Sequence, residues 1–146
     1  MKRLLCLSLF IAVPALAAEP TDADRIKGTW IVEAVRVNGR DGDPKRHSWV
    51  GEPITFEDGF MRFSFFGKSN TYKIDATTTP RRLDITLPKH PPAGKKTLGA
   101  LPVIYKFDGA RLSITLGITN EEDRPTSFDL AAGPPFFHVT LTRAKH

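Results

Sequence analysis

The fold is decided by the stretch GTWIVEAVRV, residues 28–37, which opens with Gly28-Thr29-Trp30 and closes in Asn38-Gly39. Its β-branched and aromatic residues are typical of a strand, and from this point apolar and polar residues alternate with a period of two. Val35 falls out of phase with Trp30, and a β-bulge near Ala34 would return it to the same face. We therefore predict a first strand at 29–37 that contains a bulge.

Seven further strand candidates follow, separated by short turns or by polar loops. Asp58-Gly59 and Asp108-Gly109 are typical of tight hairpins, and Gly67-Lys68-Ser69 is interpreted as another turn. Long loops are predicted at 38–51, 88–99 and 117–135, the last with a short extended piece at Thr126–Phe128. The predicted strands after the first are Pro53–Glu57, Phe60–Phe66, Asn70–Asp75, Arg82–Leu87, Leu101–Phe107, Arg111–Leu116 and Phe136–Arg143.

This spacing predicts an all-β fold with a short helical turn before it. Eight strands joined mostly by hairpins favour an eight-stranded antiparallel up-and-down β-barrel, because closure removes exposed strand edges. A β-sandwich is the alternative. Thr21 or Asp22 would cap the helical turn, and Ile26 would pack against the barrel end.

One charge is predicted to face inward. Arg143 shares strand parity with the apolar residues Phe137, Val139 and Leu141. Since the first and last strands are neighbours in a closed meander, we expect Arg143 to lie over the ring of Trp30 as a cation–π pair. Trp30 is then a plug that seals one end of the barrel, and any binding would occur toward the other, looser end.

The N-terminus has the pattern of a cleaved signal peptide. Lys2 and Arg3 precede an apolar run at Leu4–Val13, and a small-x-small cleavage pattern ends at Ala17. Ten apolar residues are too short to span a bilayer. We predict a signal peptide at 1–17, a single barrel domain at 18–146, and export to the periplasm or the outside of the cell.

Composition excludes several kinds of chemistry. Cys6 is the only cysteine and lies in the predicted signal peptide, so a processed chain has no disulfide and no thiolate nucleophile or metal ligand. Loss of Lys2 and Arg3 lowers the net charge from +5 to +3, which does not indicate nucleic-acid binding.

Several segments resemble a known family. The chain is similar to the lipocalin-like (calycin) barrels, and more closely to the uncharacterised lipocalin-like domain of many secreted proteins of planctomycete-type bacteria. The resemblance implies a barrel, export and no established activity, with binding of small apolar molecules by analogy. Pro134-Pro135 and Thr115 depart from the family pattern. The similar segments are Ile26-Lys27-Gly28-Thr29-Trp30, Ile54-Thr55-Phe56-Glu57, Thr71-Tyr72-Lys73-Ile74-Asp75, Ile104-Tyr105-Lys106-Phe107-Asp108-Gly109-x-x-Leu112 and Arg124-Pro125-Thr126-x-Phe128.

No catalytic or metal-binding pattern emerges. The four histidines, at 47, 90, 138 and 146, lack metal-ligand spacing and are interpreted as solvated. No Gly-x-Ser-x-Gly elbow is present. The basic stretch 81–96 is either a docking site for an anionic polysaccharide or membrane surface, or simply a solvated hairpin and loop. Arg124 is expected to make a local ion pair with the acidic residues just before it.

Two functions from different classes follow, and neither is enzymatic or needs a cofactor or metal. The preferred one is binding of a small apolar ligand inside the barrel, lined by Phe56, Phe63, Tyr72 and Tyr105. The alternative is a filled barrel that serves as a protein or cell-envelope interaction module through its long loops. In both, the protein is predicted to be a monomer, and Gly28, Trp30 and Arg143 are structural.

Overall fold

The structure, a computed structural model, describes residues 18–43, 48–64, 67–87, 99–117, 124–129 and 136–145. The predicted signal peptide at 1–17 lies outside these ranges, as do parts of the three long loops.

The described residues form one short helix followed by strands. Helix α1 spans Asp22–Ile26 and begins with the predicted cap: Thr21 accepts from the backbone N–H of Asp24, and the Asp24 carboxylate accepts from Thr21 in return. The strands are β1 (Gly28–Val37), β2 (Arg40–Asp41), β3 (Pro53–Glu57), β4 (Phe60–Phe63), β5 (Gly67–Asp75), β6 (Arg81–Thr86), β7 (Ala100–Asp108), β8 (Arg111–Gly117) and β9 (Phe136–Arg143).

These strands form a closed antiparallel barrel. They pair in the order β2-β1-β3-β4-β5-β6-β7-β8-β9, and β1 pairs with β9 as well. β1 and β3 to β9 therefore make the predicted eight-stranded up-and-down barrel, and the sandwich alternative is wrong. β2 was not predicted and extends the end of β1 as a short hairpin. Its turn is Asn38-Gly39, where both residues have positive φ (49° and 75°), as a type I′ turn requires.

The predicted bulge in β1 is confirmed. Val32 lies opposite Leu141, but Ala34 lies opposite Thr140, so β1 has one extra residue between them. That residue shifts the phase of the strand, and Val35 is consequently buried with Trp30 and Val32.

The predicted turn at Gly67-Lys68-Ser69 is wrong. All three residues belong to β5, and Gly67 lies opposite Phe63 at the end of β4. The chain therefore reverses between Phe63 and Gly67, and β4 is shorter than the predicted Phe60–Phe66. The interpretation relied on composition alone, which placed the turn a few residues too late.

The two ends of the barrel differ in what lies across them. The helix end carries α1 and the turns at 58–59, 76–80 and 109–110, and the far end carries the β1–β2 hairpin and residues 48–52. Aliphatic side chains of the strands fill the middle and are at most 5% exposed. They are Val32, Ile54, Met61, Leu83, Ile85, Val103, Leu112, Ile114, Leu116, Val139 and Leu141.

Trp49 occupies the far end, which was expected to be the looser one. It is 7% exposed although it belongs to a loop predicted to be polar. Its ring centroid lies 5.2 Å from that of Phe137 and 5.9 Å from that of Phe63, the second contact being edge-to-face. The backbone N–H of Gly51 donates to Val32 in the wall, which holds the loop in place. The far end is therefore covered by an aromatic side chain from outside the strand pattern.

Residues 124–129 lie against the outside of the barrel and are termed the strap. Arg124 donates to the carbonyl of Val103 at 3.0 Å and pairs with the carboxylate of Asp84. The predicted local ion pair of Arg124 involves residues 121–123, which lie outside the described residues, whereas the partners described for Arg124 are on β6 and β7. The predicted extended piece at Thr126–Phe128 is not part of any strand.

The strap explains why two strands depart from alternation. Residues 101–105 of β7 and 112–117 of β8 are buried on both faces. Pro125 of the strap is itself buried, and Phe128 contacts side chains that point outward from β7 and β9. Strands covered on both faces lose the apolar-in, polar-out pattern.

Candidate functional site

The predicted structural residues Gly28, Trp30 and Arg143 meet at the helix end. Trp30 is 2% exposed, and its indole N–H donates to the carbonyl of Ile26 at 2.7 Å. The guanidinium carbon of Arg143 lies 4.3 Å from the centre of the Trp30 ring, which confirms the predicted cation–π pair. Arg143 as a whole is exposed, so it covers the barrel end rather than entering the interior.

This cluster also caps the C-terminal end of α1. The Arg143 guanidinium donates to the carbonyls of Arg25 and Lys27, close to where the last carbonyls of a helix lack intrahelical partners. Gly28 has a φ of +108°, and a Cβ there would lie 2.5 Å from Nη1 of Arg143. A side chain at position 28 would therefore be strained and would displace the guanidinium.

Three of the four predicted ligand-lining residues are buried. Phe56 and Tyr105 are 1% exposed and Phe63 is 4% exposed. Tyr72 is half-buried at the helix end, and its ring packs edge-to-face with that of Phe56, the centroids 5.2 Å apart. Phe63 lies at the other end, beside Trp49. The four side chains are therefore divided between the two ends of the barrel.

The hydroxyl of Tyr105 is used in a structural contact. It donates to the carboxylate of Asp22 at 2.8 Å, and Arg81 donates to the same carboxylate oxygen at 2.8 Å. Burial, followed by the interaction with Asp22, raises the pKa of Tyr105 well above its ordinary value. These contacts attach α1 to the wall at β6 and β7. Burial likewise raises the pKa of Tyr72.

His138 is more enclosed than the sequence suggested. It is half-buried, and its Nδ1 lies 2.9 Å from the hydroxyl of Thr115. The rings of His138 and Phe128 pack edge-to-face, with their centroids 6.2 Å apart. Burial, with a smaller effect of Lys106 and Arg36, lowers the pKa of His138. The interpretation of this histidine as solvated is therefore wrong, because the strap covers it.

Within the described ranges, no three His, Cys, Asp or Glu side chains are grouped so as to hold a metal ion. The described part of the chain contains no helix that is long and apolar enough to cross a bilayer.

Clefts formed by described residues lie around the helix end and along the outer wall. One of them has a volume of about 560 Å³ and lies between the 78–81 turn and the strap; we call it the strap cleft. Sequence analysis missed it, since the cleft exists only where the strap folds back on β7. Its lining residues are Thr78, Thr79, Pro80, Arg81, Tyr105, Lys106, Phe107, Thr126, Ser127 and Phe128.

Comparison with known proteins adds no further assignment. No protein-family model, no curated protein and no solved structure matches the chain. The similarity to lipocalin-like domains therefore stays a prediction from the sequence.

Proposed function

We propose that the protein is an exported, non-enzymatic, lipocalin-like domain whose barrel interior is filled and which binds its partners through its outer surface. The observation that carries the proposal is the position of two tryptophans. Trp30 is buried at the helix end and Trp49 at the far end. An interior ligand would need one of them to move.

The burial of the predicted ligand-lining residues supports this alternative over an internal apolar ligand. Eight-stranded barrels have a size at which side chains fill the interior or leave room for one small ligand. Phe56 and Tyr105 are about as buried as any residue of the core, and the Tyr105 hydroxyl is bonded to Asp22. The groups that would contact a ligand are thus engaged with other parts of the protein.

Export and the absence of catalysis remain inferences from the sequence. The signal-peptide pattern at 1–17 supports export. The resemblance to a lipocalin-like family, together with a sequence that offers no nucleophile elbow and no metal-ligand spacing, supports a binding role.

Uptake of a neutral apolar fluorophore, N-phenyl-1-naphthylamine, tests whether the barrel is filled. We expect no saturable fluorescence increase with the wild-type protein or with Val50→Ala, a change at an exposed neighbour of Trp49. Trp49→Ala should bind the dye while keeping its β-sheet circular dichroism, because the substitution opens the far end. Stoichiometric dye binding by the wild-type protein, reversed by a fatty acid, would instead establish an internal ligand site.

A further inference from the structure

We propose that the strap cleft binds a small organic anion, with a carboxylate or phosphate group beside Arg81 and Lys106 and a small apolar body against Phe128. This inference rests on the proposed function, since it names the kind of ligand that the outer surface would take.

The charge of the cleft favours an anion. Its ten lining residues include two cations, Arg81 and Lys106, and no aspartate or glutamate. Arg81 is bonded to Asp22 behind the cleft, but that carboxylate also lies 3.8 Å from Arg25 and accepts from Tyr105. One negative charge is therefore shared between two arginines, and Arg81 has no carboxylate partner of its own.

Lys106 is held in position without an ion pair. Among the described residues it pairs with no carboxylate, and its ammonium nitrogen lies 4.7 Å from the centre of the Phe128 ring. The ring orients the ammonium group but leaves its charge uncompensated. An oxyanion can therefore bind Lys106 without breaking an existing salt bridge.

Hydroxyl groups on both walls can complete the coordination of an oxyanion. Ser127 accepts a hydrogen bond from the backbone of Asp129 at 3.0 Å, so its own O–H can still donate. Thr79 and Thr126 lie on opposite sides of the cleft, and both are exposed. Hydroxyls and cations together provide the several donors that a carboxylate or phosphate group needs.

The walls of the cleft are fixed by contacts outside it. On one side, Thr77 donates twice to Asp75, and the hydroxyl of Thr78 donates to Pro80 at 2.9 Å. On the other side, Arg124 attaches the strap to β6 and β7. A volume of about 560 Å³ lies within the range of small-molecule sites, about 300–1,000 Å³. The site is therefore preformed, and its size suits one aromatic or short aliphatic anion.

Titration of the ¹⁵N-labelled protein with benzoate, phenyl phosphate and the neutral analogue benzyl alcohol tests the proposal. We expect saturable amide shifts at 78–81, 105–107 and 126–128 with one or both anions and none with benzyl alcohol. The tighter anion identifies carboxylate or phosphate as the preferred group. Lys106→Gln should weaken binding about five-fold or more, the effect of one charge-assisted hydrogen bond.

Arg81→Gln should weaken binding similarly, but it also removes the ion pair of Arg81 with Asp22. Lys106→Gln leaves that ion pair intact and therefore tests the cleft alone. Arg62→Gln is the matched control, because Arg62 is an exposed arginine paired with Glu57 on another part of the wall. Equal shifts with benzyl alcohol, equal weakening by Arg62→Gln, or no saturable shift would each overturn the proposal. Dye uptake by the wild-type protein would refute the filled barrel alone, so the two failures are distinguishable.

Discussion

Replacing Arg143 by alanine should lower the free energy of unfolding by about 2–3 kcal/mol. The guanidinium donates to the carbonyls of Arg25 and Lys27, and a hydrogen bond to a charged group contributes about 1.5–3 kcal/mol. The cation–π contact with Trp30 adds about 0.5–1 kcal/mol at an exposed site. We expect less than the full total because water can replace the guanidinium at the carbonyls once the side chain is removed.

Thermal and urea unfolding measure this loss. For a chain of this length, 2–3 kcal/mol corresponds to a fall in Tm of about 6–12 °C. Arg143→Lys should retain the cation over Trp30 but not the planar fork that reaches two carbonyls, and should lose about half as much. Lys145→Ala is the matched control, because it removes one positive charge from an exposed position two residues away and should change stability by less than about 0.5 kcal/mol.

Two results would refute this reasoning. If Arg143→Ala unfolds at the same temperature as Lys145→Ala, the bonds from Arg143 to the end of α1 do not stabilise the fold. If Arg143→Lys is as stable as the wild-type protein, positive charge over the indole is sufficient and the two carbonyl contacts are irrelevant.

Three further predictions concern the far end, β1 and the strap. Trp49→Ala should destabilise the protein by about 3–5 kcal/mol in urea unfolding, against less than about 0.5 for Val50→Ala; similar midpoints would mean that Trp49 is not a plug. Gly28→Ala should cost about 1–3 kcal/mol, because φ is +108° and the new methyl group meets Arg143; an unchanged Tm contradicts this. The pKa of His138 is lowered on folding, so the unfolded chain binds its proton more readily. The free energy of unfolding of the wild-type protein, relative to that of His138→Gln, should therefore be highest above about pH 6.5 and decrease as the pH falls through the folded pKa of His138. If urea unfolding gives the same difference between the two proteins at every pH, this explanation is excluded.

Alternation along the strands was sufficient to predict the barrel and its closure. Arg143 was placed beside Trp30 because its parity matches the inward residues of β9 and because a closed meander makes β1 and β9 neighbours. The phase error at Val35 was likewise enough to locate the bulge. These features follow from a period of two, which depends on local sequence only.

Contacts made by loops could not be predicted in the same way. Arg124 and Asp84 are 40 residues apart, and no local pattern indicates that the strap brings them together. Trp49 stands in a polar loop, and its burial depends on the path of the chain across the far end. Two signals were nevertheless present. Asn38-Gly39 is a strong hairpin turn, and Ile104 is an apolar residue at an outward position of β7, which indicates a covering segment.

The pairing of β1 with β9 has a consequence for how the chain folds. Arg143, which contacts Trp30 and the end of α1, lies 116 positions after Lys27 and 118 positions after Arg25. The first strand therefore cannot complete its hydrogen bonds until nearly the whole chain is available. Such a high contact order predicts folding in milliseconds to seconds rather than microseconds. Until β9 arrives, both edges of the growing sheet are open to pairing with other chains. Arg143, at the end of β9, thus makes its contacts at the step in which β9 pairs with β1 and closes the open sheet edges.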